Sequence, residues 1–352
     1  MPVQSLQVDL EQMSAAGIEA AKSAMDLNYV ELPLLKEMTR IHGKGKPSKN
    51  GGHKWMESFK IGEHSTPTAR RTGYEKLNLS FSNVLANMNL DIAEIVFPVG
   101  ISAKEIDENS GPTKAMDLAA ERTDLVMNRA MRDFEQHMLV GGVPEWDDFY
   151  SLNGIEEADG FLEGLAPGTQ NNIIGGFSKA TYASLPGANN QMFDVNNAFN
   201  TLGLLGLQTL NTRIRTRSKN TRKGCVIASE NCFNNYKRTL QTNEYYQVAT
   251  GKESLDGVNM NLQVGGQMMQ PSTYLGEYTP SGANRISAVA LDLASLYFMW
   301  SKTSHRDGNF KLTKFESIGN GFDVFVAQIL VRGQLWAKNF GSSGVLLNAE
   351  TF

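Results

Sequence analysis

The sequence predicts an α+β protein, and three observations carry that reading. The stretch from Gly111 to Val140 has sustained helical periodicity. The residues before it, from Trp55, and after it, from Arg285, alternate with a period of two. Between them lie about fifty residues rich in Gly, Pro and Asn, far longer than an ordinary connection.

Taken in order, residues 1–40 read as a helical arm. Leu6, Leu10, Met13, Ile18, Ala21 and Met25 fall loosely on one face, and Pro33 breaks the pattern. An arm with so little apolar surface is expected to lie on something else. Residues 42–54, HGKGKPSKNGGHK, read as a solvated loop. Phe59 and Ile61, then Leu77, Leu79 and Phe81, then Ile95, Phe97, Val99 and Ile101 occupy alternate positions, as in strands. The intervening GEHSTPTARRTG makes the first two a long polar β-hairpin, too poor in apolar residues to stand alone.

The helix follows. Gly111-Pro112 opens it and Gly141-Gly142 stops it. Ala119, Val126, Met127, Ala130, Phe134 and Met138 form its apolar stripe. Asp117, Glu121, Arg122, Asp124, Arg129, Arg132, Asp133 and Glu135 are assigned to a mixed-charge outer face. Such a rod, about 40 Å long, needs a broad apolar partner surface. The late sheet is the candidate: ISAVALDL, LYFMWSK, FKLTKFES and FDVFVAQILVRGQLWAKNF, turning at Asp307-Gly308-Asn309 and Gly319-Asn320-Gly321. Between helix and sheet come the loop-rich 141–191 and a helix over Phe193–Thr212. A basic turn (TRIRTRSKNTRKG), the short buried strand GCVIAS, the helix ENCFNNYKRTL and a hairpin over 257–271 turning at Gly265-Gly266 complete that region.

Composition narrows the function. The chain has 352 residues, 41% hydrophobic and 20% charged, enough for a sizeable core in two or three lobes. A net charge of −4 gives no global basic field for nucleic acid or anionic lipid. The N-terminal MPVQSLQVDLEQ lacks the features of a signal peptide, and no run is long and apolar enough to span a membrane. Cys225 and Cys232 read as two buried thiols in a reducing compartment, since no second Cys or His pair accompanies them.

The search for a reactive constellation finds none: no GxxxxGK[ST], GxGxxG, HExxH or GxSxG occurs. No catalytic, cofactor-binding or metal residue is assigned, and the reading is non-enzymatic. His137 lies near the end of the long helix, where a cation suits the dipole. Asp147-Asp148 and Glu156-Glu157 are adjacent pairs whose side chains diverge, so they read as solvated. The sharpest charge feature is Arg213, Arg215, Arg217, Lys219, Arg222 and Lys223. Solvated turn, subunit contact and phosphate contact all remain open. The absence of interleaved aromatics argues against a single-strand platform. Arg70-Arg71 at the hairpin tip, with Lys76 beyond, has the same readings; charge there also guards a strand edge.

The order of parts, with three stretches, resembles the major capsid proteins of tailed double-stranded DNA phages, the Hong Kong 97-like fold. SLNGIEEADGFLEG…NNIIGGFSKATYASLPG (Ser151 to Gly187) is similar to the family's NGLEEA…GGIDRATY region, with Lys179 in place of the common Arg and Leu185 in place of an aromatic. KGCVIASENCFNNYKRTL resembles its strand-then-helix, and GQLWAKNFGSSGVL its closing strand. The resemblance covers the chain from about Trp55.

It implies an N-terminal arm over 1–54 and an extended β-hairpin loop with return strand over 55–106. A peripheral domain over 107–191 follows, with its spine helix at 112–140, then an axial domain over 192–284 and the peripheral sheet and C-terminus over 285–352. It implies self-assembly into hexamers and pentamers of an icosahedral capsid, with a portal at one vertex, a possible decoration or cement protein and weakly contacted packaged DNA. No cofactor and no membrane enter, and the place is the virion, assembled in the host cytoplasm. Arg70, Arg71, Lys76, Arg213, Arg215, Arg217 and Lys219 become intersubunit contact candidates. The hairpin starts near Trp55, which leaves no room for a scaffolding domain before it, so a separate scaffolding protein is expected. An encapsulin-type nanocompartment, which uses the same fold, is the alternative shell; a soluble enzyme with an unread site is the alternative of another class.

Overall fold

The computed structural model describes residues 31–42, 48–62, 84–108, 118–152, 160–196, 198–218, 224–242, 262–277, 285–302, 308–319 and 322–352. The arm before residue 31, the hairpin tip with Arg70, Arg71 and Lys76, the strand expected over Leu77–Phe81, the helix before Leu118, Glu156-Glu157 and Lys219 lie outside the described residues.

Two six-stranded sheets carry the fold. The first is built on the 16-residue strand Phe322–Ala337. One edge of that strand takes Ala93–Ser102, antiparallel from Ala93↔Gly333 to Ser102↔Val324. The other edge takes Glu316–Gly319, Asn309–Leu312 and Leu296–Lys302 in succession. Ser48–Asn50 adds to Leu296–Lys302 in parallel.

The spine helix Leu118–Val140 lies on this sheet, as the sheet's apolar content predicts. Ala130, Phe134 and Met138 are fully buried, while Val126 and Met127 pack at the margin. The Phe134 ring sits 5.0 Å from Phe298, 5.6 Å from Trp146, 5.7 Å from Phe310 and 5.9 Å from Trp300, centroid to centroid. One residue departs from the expected pattern. Glu135, assigned above to the outer face, is fully buried. It neighbours Phe134 and Leu139 on the inward side and turns towards a second element described below.

The second sheet runs in the order Gln191–Asp194, Gly344–Leu347, Ile286–Asp292, Gly224–Ser229, Gln267–Ser272, Leu262–Val264. Helices Leu204–Arg217 and Glu230–Thr242 cover it over a separate apolar cluster that includes Leu207, Leu210, Phe233 and Met269. The boundary expected at residue 285 does not coincide with a sheet boundary, because Ile286–Asp292 and Gly344–Leu347 pair inside this second sheet. Every residue of both strands is buried. A strand buried on both faces has no alternation to say which sheet it joins.

The helix expected over Phe193–Thr212 is also displaced. Gln191–Asp194 is a parallel edge strand, Phe199–Gly203 a π-helical turn, and the α-helix spans Leu204–Arg217. A Cβ on Gly203 would come within 2.4 Å of the Phe199 ring, so the bulge depends on that glycine. The basic residues Arg213, Arg215 and Arg217 therefore occupy the last turns of a helix rather than a turn after it.

Candidate assembly surfaces

At the base of the extended hairpin, Lys54–Lys60 pairs antiparallel with Leu85–Asp91, from Lys54↔Asp91 to Lys60↔Leu85. Trp55 and Phe59 face inward; Met56, Ser58 and Lys60 face out, with Leu85 across from Lys60. Phe59 packs 4.8 Å from Phe177 and 6.0 Å from Phe340. The outward face thus shows large apolar side chains at Met56 and Leu85, and Ile173 is exposed on the small hairpin packed against the same strand pair.

That small hairpin, Ile173-Ile174 with Phe177-Ser178, turns on Gly175-Gly176, both at positive φ. The amide of Asn89 donates to the Gly175 carbonyl at 2.8 Å. A Cβ on Gly175 would lie 2.4 Å from the Asn89 carbonyl oxygen, at a φ of +54°. Gly175→Ala is accordingly expected to cost about 1–3 kcal/mol from backbone strain alone, with the clash in addition. A drop in the thermal midpoint checks it, and it should exceed that of Gly176→Ala, which shares the positive φ but meets nothing within 4 Å.

The loop-rich region is held by a buried polar hub. Lys179 is fully enclosed, and its ammonium donates to the Phe161 carbonyl at 2.8 Å and to Asn190 Oδ1 at 3.1 Å, and pairs with Glu163 Oε1 at 3.3 Å. The Glu163 carboxylate also accepts the amides of Asn171 and Asn172, each at 2.9 Å. Asn190 donates to the Glu163 carbonyl, and Gln170 clamps Asn190 on both backbone groups. Burial pulls the Lys179 ammonium down to about 8, and the Glu163 carboxylate opposes that shift. The sequence reading missed Glu163, Asn190 and Gln170; its only signal here was the Lys in the GGFSKATY stretch.

The basic helix end is partly spent on its own lobe. Arg213 donates to the Met192 carbonyl at 3.2 Å, and Arg217 to Gln191 Oε1 at 3.1 Å and to the Arg213 carbonyl. Both thereby tie the helix to the edge strand, and all three cations suit a helix C-terminus. Arg215 is exposed. The helix end approaches the hairpin base: Asn339 Nδ2 donates to the Arg217 carbonyl at 2.9 Å, and helix Leu204–Arg217 packs on the Phe340–Ser342 turn, against whose Phe340 the hairpin's Phe59 stands at 6.0 Å. Two other expectations resolve plainly. His137 is buried, with Nε2 2.8 Å from the Phe149 carbonyl. Cys225 and Cys232 are both buried free thiols, and burial pushes both well up. Among the described residues no group of three or more His, Cys, Asp or Glu is placed to hold a metal ion.

No protein-family model matches the chain, and no curated protein matches it in sequence. Solved structures do match in fold, over nearly the whole of both chains. The capsid of cyanophage A-1(L) superposes with a TM-score of 0.60 at 13% identity, covering 97% of this chain and 99% of that one. The capsid of the native GTA particle gives 0.53 at 10% identity, with 96% and 98% covered. The holo-SrpI encapsulin from Synechococcus elongatus PCC 7942 gives 0.52 at 11% identity, with 96% and 95% covered. The chain therefore shares its fold with these capsid and encapsulin structures. More narrowly, that fold is the Hong Kong 97-like fold of phage major capsid proteins, as the order of motifs predicted.

Proposed function

We propose that this chain is the major capsid protein of a tailed phage, self-assembling into the hexamers and pentamers of an icosahedral shell around a double-stranded DNA genome. The observation that carries the reading is the match to capsid subunits over 96% and 97% of the chain. The hairpin base supports it: a two-stranded ribbon with Met56 and Leu85 on its outer face suits contact with another subunit better than water. On this reading Arg70, Arg71 and Lys76 in the excursion, and Arg213, Arg215, Arg217 and Lys219 at the basic helix end, contact neighbouring subunits. A separate scaffolding protein, a portal and a possible decoration protein are the other partners. The modest negative charge keeps packaged DNA from adsorbing to the wall. The shell is assembled in the host cytoplasm and ends in the virion.

The encapsulin likeness favours a second reading, a nanocompartment shell. Negative-stain microscopy of the purified protein, with nuclease-protected DNA assayed in the same fractions, separates the two. Uniform shells holding protected double-stranded DNA support the phage capsid. Shells with protein cargo and no DNA support the nanocompartment. A monodisperse species near 38.7 kDa under every salt and scaffold condition sinks both.

A further inference from the structure

Helix Pro33–His42 crosses the junction between the two sheets. It packs on the spine helix and on the strands Gly224–Ser229 and Gln267–Ser272 of the second sheet. Its far end reaches the first sheet, where the His42 ring lies 5.3 Å from Tyr297 and its Nε2 is 3.0 Å from the Leu293 carbonyl. The start of this helix has no acidic residue of its own. Its free amides at Leu34 and Leu35 donate instead to the two oxygens of Glu135, at 2.7 and 2.8 Å, from a hundred residues away. Glu135 is fully buried, and among the described residues no cation pairs with it. Burying a carboxylate against two neutral donors is costly, because they replace only part of its hydration.

We propose that helix Pro33–His42 is a releasable strap across the two sheets, with Glu135 as its latch, so that the strap docks more tightly as pH falls. The inference stands apart from the shell reading, because it concerns one subunit. The other ionisable groups at the junction have partners of their own, and His42 lies at the opposite end of the strap with Nε2 on the Leu293 carbonyl, so it stays in place when Glu135 is changed. On the strap, Glu37 is buried but takes two bonds from Arg40 and one from Gln270. Asp292 is occupied by Ser218, Ser295 and the Ala294 amide. Cys225, beneath the strap, has its thiol pushed further up. The short helix Thr273–Glu277, packed on the spine, brings Tyr274 to the core. Glu135 is left as the group whose charge has no opposite partner.

Burial raises the Glu135 carboxyl to about 7, and the two N–H bonds only partly oppose it. When the strap opens, water returns the group to its ordinary range. The docked state therefore holds a proton that the open state has lost between about pH 4.5 and 7. Docking is favoured at the acid end of that window and weakened as pH rises through it. From pH 5 to 8 the fraction of open strap is expected to rise on the order of 100-fold.

Hydrogen exchange by mass spectrometry on the full chain, corrected for the intrinsic pH dependence of exchange, reads this directly. The peptide over 33–42 should lose protection across that range while a spine peptide within 118–140 does not. In Glu135→Gln the pH dependence of the 33–42 peptide should vanish, and at pH 8 the variant should be no less protected than the parent. As a second readout, alkylation of Cys225 in a Cys232→Ser background should be faster in Glu135→Gln than in the parent at pH 5.5. A parent strap with equal protection at pH 5 and 8, or a Glu135→Gln chain that keeps the parent's pH dependence, overturns the proposal.

Discussion

Phe134→Ala should destabilise the subunit by about 3–5 kcal/mol, the cost of removing a fully buried aromatic side chain from a core that collapses only in part. Phe134 touches Phe298, Trp300, Phe310 and Trp146 at once, so it joins the spine helix to two strands and to the loop after the helix. None of these neighbours can move into the void without losing its own packing: Phe298 and Trp300 are 4.5 Å apart and fixed by pairing with Phe322–Ala337. Chemical denaturation of unassembled subunits measures the loss. Leu125→Ala on the same helix is the control; that side chain is 51% exposed, so a change within about 0.5 kcal/mol is expected. A Phe134→Ala loss below about 1 kcal/mol would show that the helix is not fastened to the sheet through this ring.

That ring was legible in the sequence, and the reason is physical. A stripe at three- and four-residue steps is what a helix must have to bury one side, and Ala130, Phe134 and Met138 obey it. The exception on the same helix is instructive. Glu135 is an acid beside the stripe, and the pattern of an isolated helix assigns it to water. Only the arrival of another helix N-terminus, Leu34 and Leu35, makes a buried carboxylate sensible there. The strands Ile286–Asp292 and Gly344–Leu347 were legible as strands but not by sheet, because burial on both faces erases the period that would orient them. The basic run was legible as charge but not as helix. Its Arg–x–Arg–x–Arg spacing gives no apolar stripe beyond Ile214, whose burial closes the last turn. The three-stretch resemblance recovered the fold because it used order along the chain, which local periodicity does not contain.

The hub at Lys179 is the part that no periodicity announces, and breaking it should have the second-largest effect. Glu163→Ala removes the carboxylate that pairs with the enclosed Lys179 ammonium and leaves the Asn171 and Asn172 amides without their acceptor. Breaking a buried pair from one side costs about 3–5 kcal/mol, because the surviving charge has no compensation. Lys179→Met should cost less, since the Glu163 carboxylate keeps its two backbone donors. Adding Glu163→Ala to Lys179→Met should then cost clearly less than Glu163→Ala alone, because no buried ammonium remains to be stranded. A double-mutant cycle by denaturation measures this, and costs that simply add would rule out coupling. The pH dependence gives an independent check. Lys179 is pulled down to about 8 from its ordinary value near 10.5. Between those values the unfolded chain holds a proton that the folded chain has lost, so stability rises with pH there. Wild type should gain about 2 kcal/mol on Lys179→Met from pH 8 to 10. A constant difference between the two proteins over that range would mean that the ammonium is not confined as the hub places it.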